Sequence, residues 1–193
     1  MNIEFTIDEN GVLSKAEVTG TAYQNIPKGV RNIGEGEFSE AVDLIDLTIP
    51  SIVTVIGESA FLGCDWLKKV TIPSTVRVIE NKVFFDCYSL IEVVMADSVI
   101  EIGEDAFSEC NQLEDVGLSR NLTTIGNRAF AWCESLKHLY IPKSVVSIGE
   151  DVFYGCSSDL IVYTDEGSYT EKYLKENGII FLDVKKVPDI SSR

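Results

Sequence analysis

Little in this 193-residue chain is equipped for chemistry. It holds one histidine, His138, and no serine or cysteine is matched to it as a nucleophile, which argues against an enzyme. Positive charge is scarce: 16 Lys and Arg stand against 31 Asp and Glu, a formal net charge of −15. Such a surface repels phosphate backbones and anionic lipid, so neither nucleic acid nor a membrane surface is an expected partner. No stretch approaches the ~20 apolar residues that span a bilayer. Met1 to Asn10 carry Glu4, Asp8 and Glu9 and no apolar run of signal-peptide length. The five cysteines have no C-x-x-C spacing, so a metal site is not expected of them. No cofactor is implied.

What is present is a repeat. With 45% apolar residues the chain can build a sizeable core, and those residues recur in fixed columns. Phenylalanine returns every 23 residues at Phe38, Phe61, Phe84, Phe107, Phe130 and Phe153. Isoleucine does so at Ile33, Ile56, Ile79, Ile102, Ile125 and Ile148, and leucine at Leu44, Leu67, Leu90, Leu113 and Leu136. Cysteine occupies Cys64, Cys87, Cys110, Cys133 and Cys156, with Ala41 in the first unit. Glycine holds Gly34, Gly57, Gly103, Gly126 and Gly149, replaced by Glu80. Chance does not align five columns.

Each unit alternates apolar and polar residues from Val70 onward, the period of a strand with one buried face. Pro27, Pro50, Pro73 or Pro142 stops that strand, because proline donates no ladder hydrogen bond. A second short extended piece, such as Val53 to Ile56, ends at the glycine. A compact helical turn, Glu58 to Cys64, is expected next. One unit cannot bury its apolar face alone, but stacked units can, at roughly 4.8 Å per coil. The fold expected is a single solenoid domain: a parallel sheet on one side, short helical turns on the other, apolar ladders between.

The ends differ. Residues 1–25 read as an N-terminal cap: Ile3 to Ile7 alternates, and Asn10-Gly11 is a two-residue hairpin signal. Six 23-residue units follow over 26–163. A helix-strand C-terminal cap is expected over 164–184. Its capping box Ser168-Tyr169-Thr170-Glu171 opens a helix to about Glu176, Asn177-Gly178 stops it, and Ile179 to Leu182 forms a last strand. Tyr169, Tyr173 and Leu174 are expected against the final coil. Residues 185–193 read as a flexible tail.

The unit Leu136-Lys137-His138-Leu139-Tyr140-Ile141-Pro142 through Ile148-Gly149, Val152-Phe153 and Cys156 resembles the leucine-rich repeats of the BspA-like family of bacterial surface proteins. That family's unit reads approximately L-x-x-I-x-I-P-x-x-V-x-x-I-G-x-x-A-F-x-x-C, and the resemblance runs from about Ile26 to Leu160. Departures are local: Glu80 for glycine, Glu37 for alanine, and Asp97 and Ser98 after a strand that lacks its proline. The resemblance implies a leucine-rich-repeat solenoid in an extracellular or cell-surface setting, acting as a non-catalytic protein-binding or adhesion module. A structural spacer within a larger surface protein is the alternative, and the lack of a leader leaves a cytoplasmic setting open. A monomer is expected.

Candidate sites follow from the columns. The cysteines read as buried free thiols acting as small hydrophobes, since in-register side chains point the same way rather than at each other. Acids after the glycine, Glu35, Glu58, Glu104 and Glu150, alternate with Asn81 and Asn127; a calcium ladder is conceivable, but acids and Asn also favour the first turn of a helix. Outward strand positions vary from coil to coil: Asp46, Thr48, Lys69, Thr71, Glu92, Val94, Asp115, Gly117, His138 and Tyr140. A protein partner is expected on this outer, concave face, around Lys69, Glu92, Asp115, His138 and Tyr140. The competing patch is the edge carrying Trp66, Tyr88 and Trp132, aromatic residues in columns otherwise polar or small.

Overall fold

The computed structural model describes residues 4–17, 24–26, 29–41 and 44–186. In chain order its elements are β1 (Glu4–Ile7), β2 (Val12–Glu17), β3 (Gln24–Asn25), β4 (Asn32–Ile33), β5 (Asp46–Thr48), β6 (Val55–Ile56), β7 (Lys69–Ile72) and β8 (Val78–Ile79). There follow β9 (Glu92–Met95), β10 (Glu101–Ile102), β11 (Asp115–Gly117), β12 (Thr124–Ile125), β13 (His138–Tyr140) and β14 (Ser147–Ile148). The C-terminal part holds β15 (Ile161–Thr164), α1 (Tyr169–Glu176), β16 (Phe181–Asp183) and a 3-10 turn, Val184–Lys186.

Stacking is in register by one repeat. Asp46, Lys69, Glu92 and Asp115 lie opposite one another in successive parallel strands, as do Leu47, Val70, Val93 and Val116. The longer strands form one ladder, β3-β5-β7-β9-β11, continued by β13-β15-β16. The short strands form another, β2-β4-β6, continued by β8-β10-β12-β14. The alternation read from sequence appears directly in β7, where Lys69 and Thr71 face out while Val70 and Ile72 are buried.

Inside the coils the columns are continuous. Phe38, Phe61, Phe84, Phe107 and Phe130 stack with ring centroids 5.1–5.5 Å apart and planes within 12°, and Phe153 follows at 6.3 Å. Burying each such ring contributes about 1.5–3 kcal/mol. All five cysteines carry free thiols, four buried and Cys156 partly so. Each Sγ–H donates to the phenylalanine carbonyl one coil back: Cys64 to Phe38, Cys87 to Phe61 and Cys110 to Phe84 at 3.1 Å, Cys133 to Phe107 at 3.2 Å and Cys156 to Phe130 at 3.1 Å. Burial pushes the thiols of Cys87, Cys110 and Cys133 far up and that of Cys156 up to about 11.

The side opposite the long strands is not helical as expected. From Ser59 to Cys64, alternate amides go to different places. Ser59, Phe61 and Gly63 donate to Asn81, Val83 and Phe85 of the next coil at 2.8–3.0 Å, while Ala60, Leu62 and Cys64 donate three residues back. Left-handed φ at two positions per coil sets this up: Ser59 (57°) and Gly63 (66°), Lys82 (56°) and Asp86 (57°), Asp105 (54°) and Glu109 (63°). A helix would satisfy these amides along the segment. Here they join coil to coil, so the third side is also a ladder.

Both ends differ in detail from the sequence reading. β1 and β2 do pair antiparallel, but the loop spans Asp8 to Gly11 rather than two residues. The Asp8 carboxylate accepts from the amides of Asn10 (2.8 Å) and Val12 (2.9 Å). In α1, Ser168 Oγ accepts from the Glu171 amide at 3.1 Å, while the Glu171 carboxylate accepts from the Gly167 amide at 2.6 Å. Leu174 is buried and Tyr173 packs on the core, but Tyr169 is exposed. Of the tail read from sequence, 187–193 lies outside the described residues, and Lys185 and Lys186 close the 3-10 turn.

The short-strand ladder stops between β6 and β8. A Cβ at Gly57, Gly103, Gly126 or Gly149 would come within 2.5–2.8 Å of the backbone of the coil before it. Glu80 carries a Cβ in this column, so the backbone at this one corner must stand off from the coil before, and there the pairing is lost. Glycine serves here for close approach of neighbouring backbones.

Candidate functional site

The five outward residues expected to bind divide into two groups. Lys69 Nζ lies 2.7 Å and 2.8 Å from the two carboxylate oxygens of Glu92, so these side chains satisfy each other. Half exposed, such a pair contributes at most about 1 kcal/mol. Asp115, His138 and Tyr140 instead line a cleft, and the long-strand ladder explains why it exists.

That ladder is interrupted between β11 and β13, which do not pair. The interruption opens a cavity of about 340 Å³ lined by Glu114, Asp115, Gly117, His138, Tyr140 and Tyr163 on its polar side. Val116, Leu118 and Leu139 form its floor. Val116 and Leu118 are only half-buried, whereas their counterparts Val70, Val93 and Ile72 are fully enclosed. Gly117 leaves the space without a side chain at this position. It falls in the column of Thr48, Thr71, Val94 and Tyr140, and a Cβ there would meet nothing nearer than 3.8 Å.

The walls are held from behind. Tyr163 Oη lies 3.1 Å from His138 Nδ1, the rings tilted at 36°, and Tyr140 O–H donates to Asp165 at 3.3 Å. Partial burial, then the Asp165 carboxylate, raises the proton affinity of the Tyr140 hydroxyl above the ordinary tyrosine range. Two carboxylates stand among the lining residues and no lysine or arginine does. A small space lined by aromatic, apolar and acidic side chains can take one side chain or a ligand of similar size. Sequence reasoning missed Glu114, Val116, Leu118, Leu139 and Tyr163 as lining residues. Tyr163 was findable, being one repeat beyond Tyr140.

The competing aromatic edge is exposed but not gathered. Trp66, Tyr88 and Trp132 are 58%, 49% and 43% exposed. Trp132 packs edge-on against Tyr154 at 5.4 Å and lies where a Cβ on Gly155 would come within 2.5 Å of its ring. It is therefore partly spent on the next coil. Among the described residues no ring contact joins it to Trp66 or Tyr88.

Of the residues weighed as a calcium ladder, Asn81, Asn127 and Glu104 are used structurally. The side-chain oxygens of Asn81 and Asn127 accept from the amides of Glu104 (2.9 Å) and Glu150 (3.0 Å). Arg128 clasps buried Asp105 through Nε at 2.9 Å and Nη2 at 2.8 Å and reaches Glu104 at 3.3 Å. Among the described residues no three His, Cys, Asp or Glu side chains converge as metal ligands.

Solved structures of similar proteins share this coil. A leucine-rich cell surface protein of Faecalibacterium prausnitzii is 30% identical over 71% of this chain and 46% of its own, with a TM-score of 0.51. A leucine-rich repeat protein of Eubacterium ventriosum is 26% identical over 79% of this chain and 50% of its own, with a TM-score of 0.63. The pneumococcal vaccine antigen PcpA, 24% identical over 86% of this chain and 48% of its own, shows the fold alone with a TM-score of 0.67. The chain thus spans about half the length of these relatives. No curated protein matches it. Six copies of the BspA type leucine rich repeat region match residues 24–159, and the chain belongs to that family.

Proposed function

We propose that this chain is a non-catalytic protein-binding module of a bacterial surface-type leucine-rich repeat protein, holding its partner at the cleft between β11 and β13. The cleft carries the reading: an interrupted ladder, lined by Asp115, His138 and Tyr140, leaves Val116 and Leu118 half-buried where Val70, Val93 and Ile72 are enclosed. The likeness to a leucine-rich cell surface protein supports a surface setting. A stable interface buries about 800 Å² per partner, so flanking outward residues such as Thr71, Val94 and Glu92 must contribute as well.

The test is biolayer interferometry of the monomeric chain against an array of purified host and bacterial surface proteins. Gly117→Val and Tyr140→Ala are expected to weaken the strongest interaction at least tenfold, with melting curves unchanged. Loss in Trp66→Ala alongside unaltered binding in both cleft variants would move the site to the aromatic edge. The second reading, a structural spacer, draws on the Lys69–Glu92 pair, since self-satisfied charges offer a partner little. It predicts no specific binding across the array.

A further inference from the structure

We infer that the cleft between β11 and β13 is a receptor for an arginine side chain presented by an extended segment of the partner. This rests on the protein-binding reading above and adds the chemistry that the site selects. Charge, shape and backbone converge on a flat, cationic, partly apolar group.

Charge comes first. Glu114 stands at the rim, with Asp165 behind Tyr140. The chain's own nearby cation, Arg120, acts on Tyr140 electrostatically but lies outside the lining. Across the molecule a net charge of −15 draws positively charged segments and repels anionic ones.

Size and shape come next. About 340 Å³ lies at the small end of the range for ligand pockets, enough for one long side chain but not for a strand or helix. The apolar floor of Val116, Leu118 and Leu139 suits a methylene stem. Half-buried Tyr140 supplies aromatic surface, on which a guanidinium stacks better than an ammonium.

The backbone supplies the last element. Because β11 and β13 do not pair, their facing edges, which carry carbonyls as well as amides, make no ladder bonds to each other. A guanidinium carries five N–H donors in a rigid fork and can serve a carboxylate and carbonyls together, which lysine's point charge does less well. Gly117 keeps the entrance free of a side chain.

The probe is acetyl-Gly-Arg-Gly-amide, titrated into the 15N-labelled chain, with its citrulline counterpart as a neutral isostere. Shift changes are expected at Val116, Gly117, Leu139, Tyr140 and Tyr163, with citrulline at least tenfold weaker. Glu114→Gln with Asp115→Asn, and separately Gly117→Val, should each reduce arginine affinity at least tenfold while the spectrum stays folded. Equal binding of citrulline would overturn the assignment. So would arginine-induced shifts spread over Glu58, Glu104 and Glu150, which would mean charge attraction without a site. If Gly117→Val abolishes protein capture while the arginine peptide fails to bind, only the ligand class is refuted. If the peptide binds and no protein is captured, the arginine site stands and the protein-binding reading falls.

Discussion

Raising the pH from 7 to 9.5 should unfold this chain far more readily than its size suggests, because its thiol ladder is held protonated. A thiol in an unfolded chain ionises near pH ~8.5. Burial raises this in the folded state for Cys87, Cys110, Cys133 and Cys156, the last to about 11. The folded state then binds protons that the unfolded state releases. The stabilisation is whole below pH ~8.5 and is lost as pH rises toward each folded value. One unit above the unfolded value the loss is about 1 kcal/mol per thiol, so four thiols lose roughly 4–6 kcal/mol at pH 9.5, a large share of typical domain stability. Cys110→Ala separates this from general charge repulsion. At pH 7 it should cost on the order of 1 kcal/mol, because a buried sulfur and its bond to the Phe84 carbonyl are lost. It should also remove one thiol's share of the pH slope, so the variant and the parent reach equal stability near pH ~9 and cross above it. Urea unfolding followed by circular dichroism with a phosphine reductant, at half-unit steps, measures both curves. Parallel curves with no convergence by pH 9.5 would refute the reasoning.

Three further outcomes follow from the ladders. Ellman titration at pH 8 should find five unreactive thiols in the folded chain, Cys156 reacting first as denaturant is added, since it is the partly exposed member. Glu80→Gly should raise the unfolding free energy measured in urea by about 1 kcal/mol: two ladder bonds between β6 and β8 at ~1 kcal/mol each outweigh glycine's entropy. Faster amide exchange at Arg77 in that variant would contradict the stand-off explanation. Phe107→Ala, in the middle of the ring stack, should cost about 3–5 kcal/mol and bring thermal unfolding down sharply. A loss below 1 kcal/mol would mean that the stack closes around the gap.

Residue spacing was enough to establish the coil, its period and its interior. Inward positions see the same surroundings every 23 residues, so burial imposes one residue type per column, and Phe84, Ile79, Leu90 and Cys87 could be placed from spacing alone. The family and the free-thiol ladder were legible for the same reason. The tertiary structure decided what depends on the distance between neighbouring coils or on two coils at once. Left-handed residues such as Ser59 and Asp105 turned an expected helical segment into an inter-coil ladder, because their amides find partners one coil away. The single Cβ of Glu80 became a break in pairing only through the backbone it meets. Lys69 and Glu92 looked like two binding residues until register placed them side by side. The cleft needed Gly117, the unpaired edges of β11 and β13, and Tyr163 from a third coil together; no one column records such a coincidence, and only the stacked coils bring it about.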